Sequence, residues 1–169
     1  MASKENLIKI YEFALNQEYT GKDFFQSSVQ RMGVGAAVSA FQRLIQEEEK
    51  HIEFINKILE SLRSGVELDI PATADMEPQI QSFFDQRAKS EFLQQSLQES
   101  MVPDVTVFNT AWLIEKDLSD YYSKMAGLTE GKASSALNML ANWEKRHEEF
   151  FREFRDELSK TYANMPWGG

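Results

Sequence analysis

Apolar residues recur at steps of three and four along most of this chain. From about Lys4 to Gln30, Leu7, Ile10, Tyr11, Ala14, Leu15, Phe24 and Phe25 mark one helical face. Ser3 stands where an N-cap is needed. Met32-Gly33-Val34-Gly35 interrupts the pattern, which resumes from about Ala36 to Arg63 with Phe41, Leu44, Ile45, Ile52, Ile55 and Leu59. Ser64-Gly65 ends this second helix, as a glycine just past the last turn commonly does. A third helix is expected from Pro103-Asp104 to about Ala126, with Gly127 as its stop. A fourth runs from Thr129 or Gly131 to about Tyr162, before a frayed tail over 164–169. Residues 65–102 read differently. Leu68 to Thr73 looks extended, Pro78 opens a short helix through Phe84, and another short helix fits 90–97. So long a connection can cross the length of a bundle, letting the helices on either side run parallel. The expectation is one all-α domain over 1–169, a four-helix bundle with hairpins at about 4–64 and 103–162 and a crossover at 65–102.

Each apolar stripe is broken by polar residues at its middle. On the first helix Tyr11, Ala14, Glu18, Gly21 and Phe25 share a face. On the third, Glu115 sits among Phe108, Ala111, Leu118 and Tyr122. Phe41, Leu44, Glu48, His51 and Ile55 form the face of the second helix. Leu140, Glu144, His147, Phe151 and Phe154 form that of the fourth. The two histidines of the chain each follow a glutamate by three residues, a spacing that puts both groups on one side of a helix.

The two halves match. Glu48-x-Lys50-His51-x-Glu53-Phe54 returns as Glu144-x-Arg146-His147-x-Glu149-Phe150, 96 residues later. Ala14-x-x-x-Glu18-x-x-x-x-Asp23-Phe24-Phe25 returns as Ala111-x-x-x-Glu115-x-x-x-x-Asp120-Tyr121-Tyr122, 97 residues later. A run such as Glu47-Glu48-Glu49-Lys50 is ordinarily a solvated helix face, and one Glu-x-x-His is ordinarily a surface pair. A duplicated hairpin with inward-facing Glu18 and Glu115 fits neither reading. Tyr11, Phe25 and Tyr122 lie on the same stripes and are read as core packing. The methionines show no ligand spacing, and Arg43 and Arg146 fall on surface faces.

Composition narrows the chemistry. The net charge of −9 argues against nucleic acid as a partner, since phosphate binding needs a basic face. The chain has no cysteine, which excludes disulfides, Cys-ligated zinc and iron–sulfur clusters within it. Without a signal-peptide pattern at Met1–Asn6 or a membrane-length apolar run, a cytoplasmic protein with no membrane partner is expected.

Four buried carboxylates repel one another and are costly to desolvate unless something neutralises them. Two divalent cations would balance four glutamates, with one imidazole for each metal. The candidate metal ligands are therefore Glu18, Glu48, His51, Glu115, Glu144 and His147. An oxygen-rich set with one histidine per metal suits two iron ions or manganese, with zinc as a substitute.

This pattern resembles the ferritin-like di-iron carboxylate proteins and, within them, the rubrerythrin-like group. The resemblance implies a ferritin-like bundle in which Glu18 and Glu115 are the lone ligands and Glu48 and Glu144 bridge the metals. It implies a non-haem di-iron oxidoreductase, of peroxide reductase or ferroxidase type, reacting with hydrogen peroxide or dioxygen. The alternative is a non-catalytic metal-binding or iron-handling module on the same fold. Rubrerythrins proper carry a Cys-ligated iron site that feeds electrons to the di-iron centre. With no cysteine here, a separate electron donor protein or small reductant is expected. Many peroxide-reducing members also have a glutamate where this chain has Leu118. Such bundles often pair, so a homodimer is expected from the resemblance.

Overall fold

A computed structural model describes residues 2–32, 36–67 and 103–164. Four helices make it up: α1 (Lys4–Met32), α2 (Ala36–Ser64), α3 (Pro103–Gly127) and α4 (Gly131–Ala163). Their starts and stops follow local chemistry. The Asn6 N–H donates to Ser3 Oγ at 3.2 Å, and the Leu7 N–H to the Ser3 carbonyl, so Ser3 caps α1. Gly65 takes a φ of 76° after α2, and its N–H donates to the Ser61 carbonyl. Only glycine adopts that left-handed turn without strain. Gly127 instead lies inside the last turn of α3. The tight link to α4 is fixed by Thr129, whose hydroxyl donates to the Met125 carbonyl, and by Ser134, which donates to the Ala126 carbonyl.

The architecture is a ferritin-like four-helix bundle of two antiparallel hairpins, α1–α2 and α3–α4. One apolar cluster gathers Phe25, Phe41, Phe108, Phe151 and Phe154, the C-terminal half of α1 and α4 with the N-terminal half of α2 and α3. The other gathers Tyr11, Ile55, Ile58, Tyr122, Ala126 and Leu137, the opposite halves. Hence α1 and α4 run one way and α2 and α3 the other. The end of α2 and the start of α3 therefore lie at opposite ends of the bundle, and the two helices run parallel, as expected of helices that flank a crossover. The extended stretch and short helices expected at 68–97, and the tail from 165, lie outside the described residues.

Cross-helix hydrogen bonds fix the register. Tyr121 donates to the Ile10 carbonyl at 3.0 Å, tying α3 to α1. Tyr11 donates to the Ala133 carbonyl at 2.9 Å, tying α1 to α4. Between the two apolar clusters lies a layer of polar side chains, and that layer is the site.

Candidate metal centre

The middle of each helix delivers ionisable groups to one place. Glu18 from α1, Glu48 and His51 from α2, Glu115 from α3, and Glu144 and His147 from α4 are all 0% exposed. Their ligating atoms form two overlapping sets, each within 4.8 Å: Glu18, Glu48, His51 and Glu144 in one, and Glu48, Glu115, Glu144 and His147 in the other. Glu48 and Glu144 belong to both. Each histidine turns Nδ1 inward. His51 Nδ1 lies 2.7 Å from Glu144, 3.4 Å from Glu48 and 3.6 Å from Glu18. His147 Nδ1 lies 3.2 Å from Glu48 and 3.4 Å from both Glu115 and Glu144. The two imidazoles are nearly parallel, with centroids 5.4 Å apart.

The carboxylates are close to one another yet poorly satisfied. Among the described residues, Tyr122 donates its hydroxyl proton to Glu18 Oε1. The other oxygen of Glu18 and both oxygens of Glu48, Glu115 and Glu144 have no hydrogen-bond partner among the described residues outside the cluster, and face only its histidines and one another. Glu148, one residue beyond His147, is a control within the same helix. It is 3% exposed, but Trp112 Nε1 donates to it at 2.8 Å, and Lys145 and Arg152 lie 2.9 and 3.5 Å away. Glu148 is thus held by three neighbouring groups, whereas the four clustered carboxylates converge their lone pairs on shared points. Unsatisfied buried oxygens of this kind are what divalent cations fill. The donor set therefore fits two metal ions.

Electrostatics divide the glutamates into two classes. Burial, followed by the charges of Glu144 and Glu48, holds Glu18 well above the usual carboxylate range. Burial and the charges of Glu48 and Glu144 do the same to Glu115. For Glu48, burial and Glu144 push upward, but His51 and His147 prevail and bring it to about 2. Glu144 is likewise held well below its ordinary value, because contacts with His51, Glu115 and His147 outweigh burial. Burial disfavours the charged form of each histidine, yet the surrounding carboxylates raise both well above the ordinary value. Burial and the layer's own charges thus push Glu18 and Glu115 toward the protonated form, Glu48 and Glu144 toward the carboxylate, and both histidines toward the imidazolium.

Two neighbours of the site are not evident in the sequence pattern. Tyr122 reads there as core packing; it is fully buried, but its hydroxyl serves Glu18. Burial and the negative charge of Glu18 raise its pKa, so the proton stays on the phenol. Trp143, 1% exposed, stacks on His51 with centroids 5.2 Å apart and planes 16° apart. Its position just before Glu144 carries no signal of that contact. Tyr11 and Phe25 are core residues, as expected, and Arg43 is exposed while Arg146 is half-buried.

A cleft of about 280 Å³ runs between α1 and α3 outside this layer, lined by Phe13, Gln17, Gly21, Ile114, Leu118 and Tyr121. None of these residues is a ligand candidate. Leu118 and Gly21 each lie one turn beyond a lone glutamate, so the cleft lies along the seam of the two helices that carry no histidine.

A family model described as Rubrerythrin matches residues 9–155. Comparison with the curated proteins and with the solved structures gave no match.

Proposed function

The chain belongs to the rubrerythrin family, and from that premise we propose that it is a non-haem di-iron oxidoreductase acting on hydrogen peroxide or dioxygen. The observation that carries this reading is the layer of four fully buried glutamates whose oxygens, apart from the one bound by Tyr122, have no partner among the described residues outside the layer while facing two inward-turned histidines. Glu18 and His51 would hold one iron, Glu115 and His147 the other, and Glu48 and Glu144 both. Two ferrous ions bound there would supply two electrons, which with two protons convert hydrogen peroxide to two waters.

The residues of the chain contribute the rest. The aromatic cluster around Phe25, Phe41 and Phe151 and the aliphatic cluster around Ile55 and Leu137 seal both ends of the layer against water. That exclusion strengthens the electrostatic interactions within it. Tyr122 holds a proton 104 residues away in sequence but in direct contact with Glu18, and so keeps one oxygen of that carboxylate fixed. The α1–α3 cleft, about 280 Å³, has volume for a molecule the size of peroxide or dioxygen. Electrons reach the centre from a donor outside this chain, since it contains no cysteine to hold an iron–sulfur relay.

The test is anaerobic loading with two equivalents of Fe(II) followed by rapid mixing with hydrogen peroxide. Fast oxidation, re-reduction by an added donor, and repeated cycling are expected. A single slow oxidation without recovery, or retention of zinc in preference to iron, would instead identify a metal-binding module without turnover. Oxidation that consumes only added Fe(II), with dioxygen as the oxidant, would mark ferroxidase activity with iron as the substrate.

A further inference from the structure

We infer that the centre also accepts organic hydroperoxides, with the apolar body of a small, uncharged substrate seated in the α1–α3 cleft. The inference rests on the di-iron reading above and extends it to a second class of peroxide. The O–O bond breaks with two electrons from the ferrous pair and two protons from solvent, giving one alcohol and one water. The external donor then restores the two electrons.

The size of the cleft is the first observation. It holds about 280 Å³, whereas a water molecule occupies only about 30 Å³ and hydrogen peroxide has just two heavy atoms. Pockets for small organic molecules begin at about 300 Å³, so one aromatic ring or a branched alkyl group fits and a long lipid chain does not. The space opens where the internal repeat breaks. One turn after Glu115, α3 carries Leu118; one turn after Glu18, α1 carries Gly21, with no side chain. Position is the second observation. Gln17 and Gly21 flank Glu18, Ile114 and Leu118 flank Glu115, and all four line the cleft. The cleft and the metal layer therefore share a wall.

The lining selects the substrate. Phe13 and Tyr121 set their rings 5.0 Å apart along the cleft, and Phe13 is 49% exposed. Exposed apolar groups gathered at a pocket are a mark of a ligand groove. The hydroxyls of Thr20 and Tyr121 donate to the Asn16 and Ile10 carbonyls. That leaves the Gln17 amide as the side-chain donor for a hydroperoxyl group. Among the described residues no Lys, Arg or His lines the cleft, and Asp117 adds a negative charge. A carboxylate on the substrate would meet that charge, within a chain of net charge −9, without a cation to offset it. A neutral, apolar hydroperoxide fits all of these features.

Binding is tested first, without turnover. The full-length protein, isotope-labelled and supplied with redox-inert Zn(II), is titrated by NMR with cumyl alcohol, the product of cumene hydroperoxide reduction. Saturable shifts are expected at Phe13, Gln17, Gly21 and Ile114. The para-carboxylate of that alcohol should bind about fivefold more weakly. Phe13→Ala, at a half-exposed position, should weaken the alcohol about fivefold. Gly21→Leu, which extends a side chain into the cleft, should abolish its binding. The Fe(II)-loaded protein is then mixed anaerobically with subsaturating cumene hydroperoxide and, separately, hydrogen peroxide. Oxidation by both is expected, and Phe13→Ala should lower the ratio of the organic to the hydrogen peroxide rate about fivefold. Reaction with hydrogen peroxide alone, absence of saturable binding, tighter binding of the carboxylate, or an unchanged ratio in Phe13→Ala would overturn the inference and leave the di-iron reading standing. Reaction with neither peroxide would overturn that reading, and this inference with it.

Discussion

Glu18 and Glu115 show how a side chain can serve function against folding. In the metal-free protein burial and the neighbouring Glu48 and Glu144 charges raise both above the ordinary value of 4.5, which favours their protonated forms. His51 and His147 are raised above 6.5. Groups raised in the folded state bind more protons there than in the unfolded chain, so their contribution to stability falls as pH rises. The loss begins above about 4.5 for the glutamates and 6.5 for the histidines, and continues through their folded values. Glu48 and Glu144 have the opposite sign, since their folded values are depressed. Their contribution is present above about 4.5 and lost toward about pH 2. The melting temperature of the metal-free protein should therefore decline between pH 6 and 9, measured by circular dichroism. The metal-loaded protein, whose ions have displaced those protons, should not decline over that range, and should release metal below about pH 5. At the same scale, Glu115→Leu should raise the metal-free melting temperature by about 2–4 °C, because it removes a poorly satisfied buried carboxyl. It should also cancel most of the stabilisation that metal gives. The six candidate ligands were legible as residues because the repeat marks them twice. Tyr122 was not, since an aromatic on an apolar stripe looks the same whether or not its hydroxyl is used. Trp143 was not, since its stacking on His51 depends on how α4 approaches α2.

At the level of elements, local signals account well for the helices. Apolar periodicity gave their extents, and the Ser3 cap and the Gly65 turn gave two of their ends. The seam between α1 and α3 was less readable. Gly21 looks like a stripe position, but its effect is to leave the cleft beside Ile114 and Leu118. A Cβ placed on Gly21 would meet Ile114 Cγ2 at 3.5 Å, an ordinary contact distance. Gly21→Ala should thus be accommodated and should stabilise α1 by about 1 kcal/mol through helix propensity. A melting temperature raised by about 2–4 °C with full metal content is the expected result. The variant also narrows the cleft, so slower reaction of the loaded protein with peroxide at unchanged metal content would support entry along this seam. A drop in stability would show that the seam is packed more tightly than this geometry indicates.

For the whole molecule, the repeat explains both the fold and the site. Two copies of one hairpin, each unable to neutralise its own buried glutamates, face each other so that all six ionisable groups meet between two apolar clusters. The parallel run of α2 and α3 was legible from the length of 65–102, while the short helices expected within that stretch lie outside the described residues. No described helix is long and apolar enough to cross a membrane. Metal binding to the folded state alone should stabilise the chain by about 2.7 kcal/mol at a free concentration one hundred times the dissociation constant. The central claim, a two-metal centre on these six residues, is tested most directly by metal analysis of the full-length protein purified after expression with iron and manganese both supplied. Two equivalents per chain, predominantly iron, are predicted, with loss of most of that metal in the Glu18→Ala/Glu115→Ala double variant. A folded double variant that keeps two equivalents with unchanged affinity, or an unaltered chain that takes up less than one equivalent even from excess anaerobic Fe(II), would contradict it.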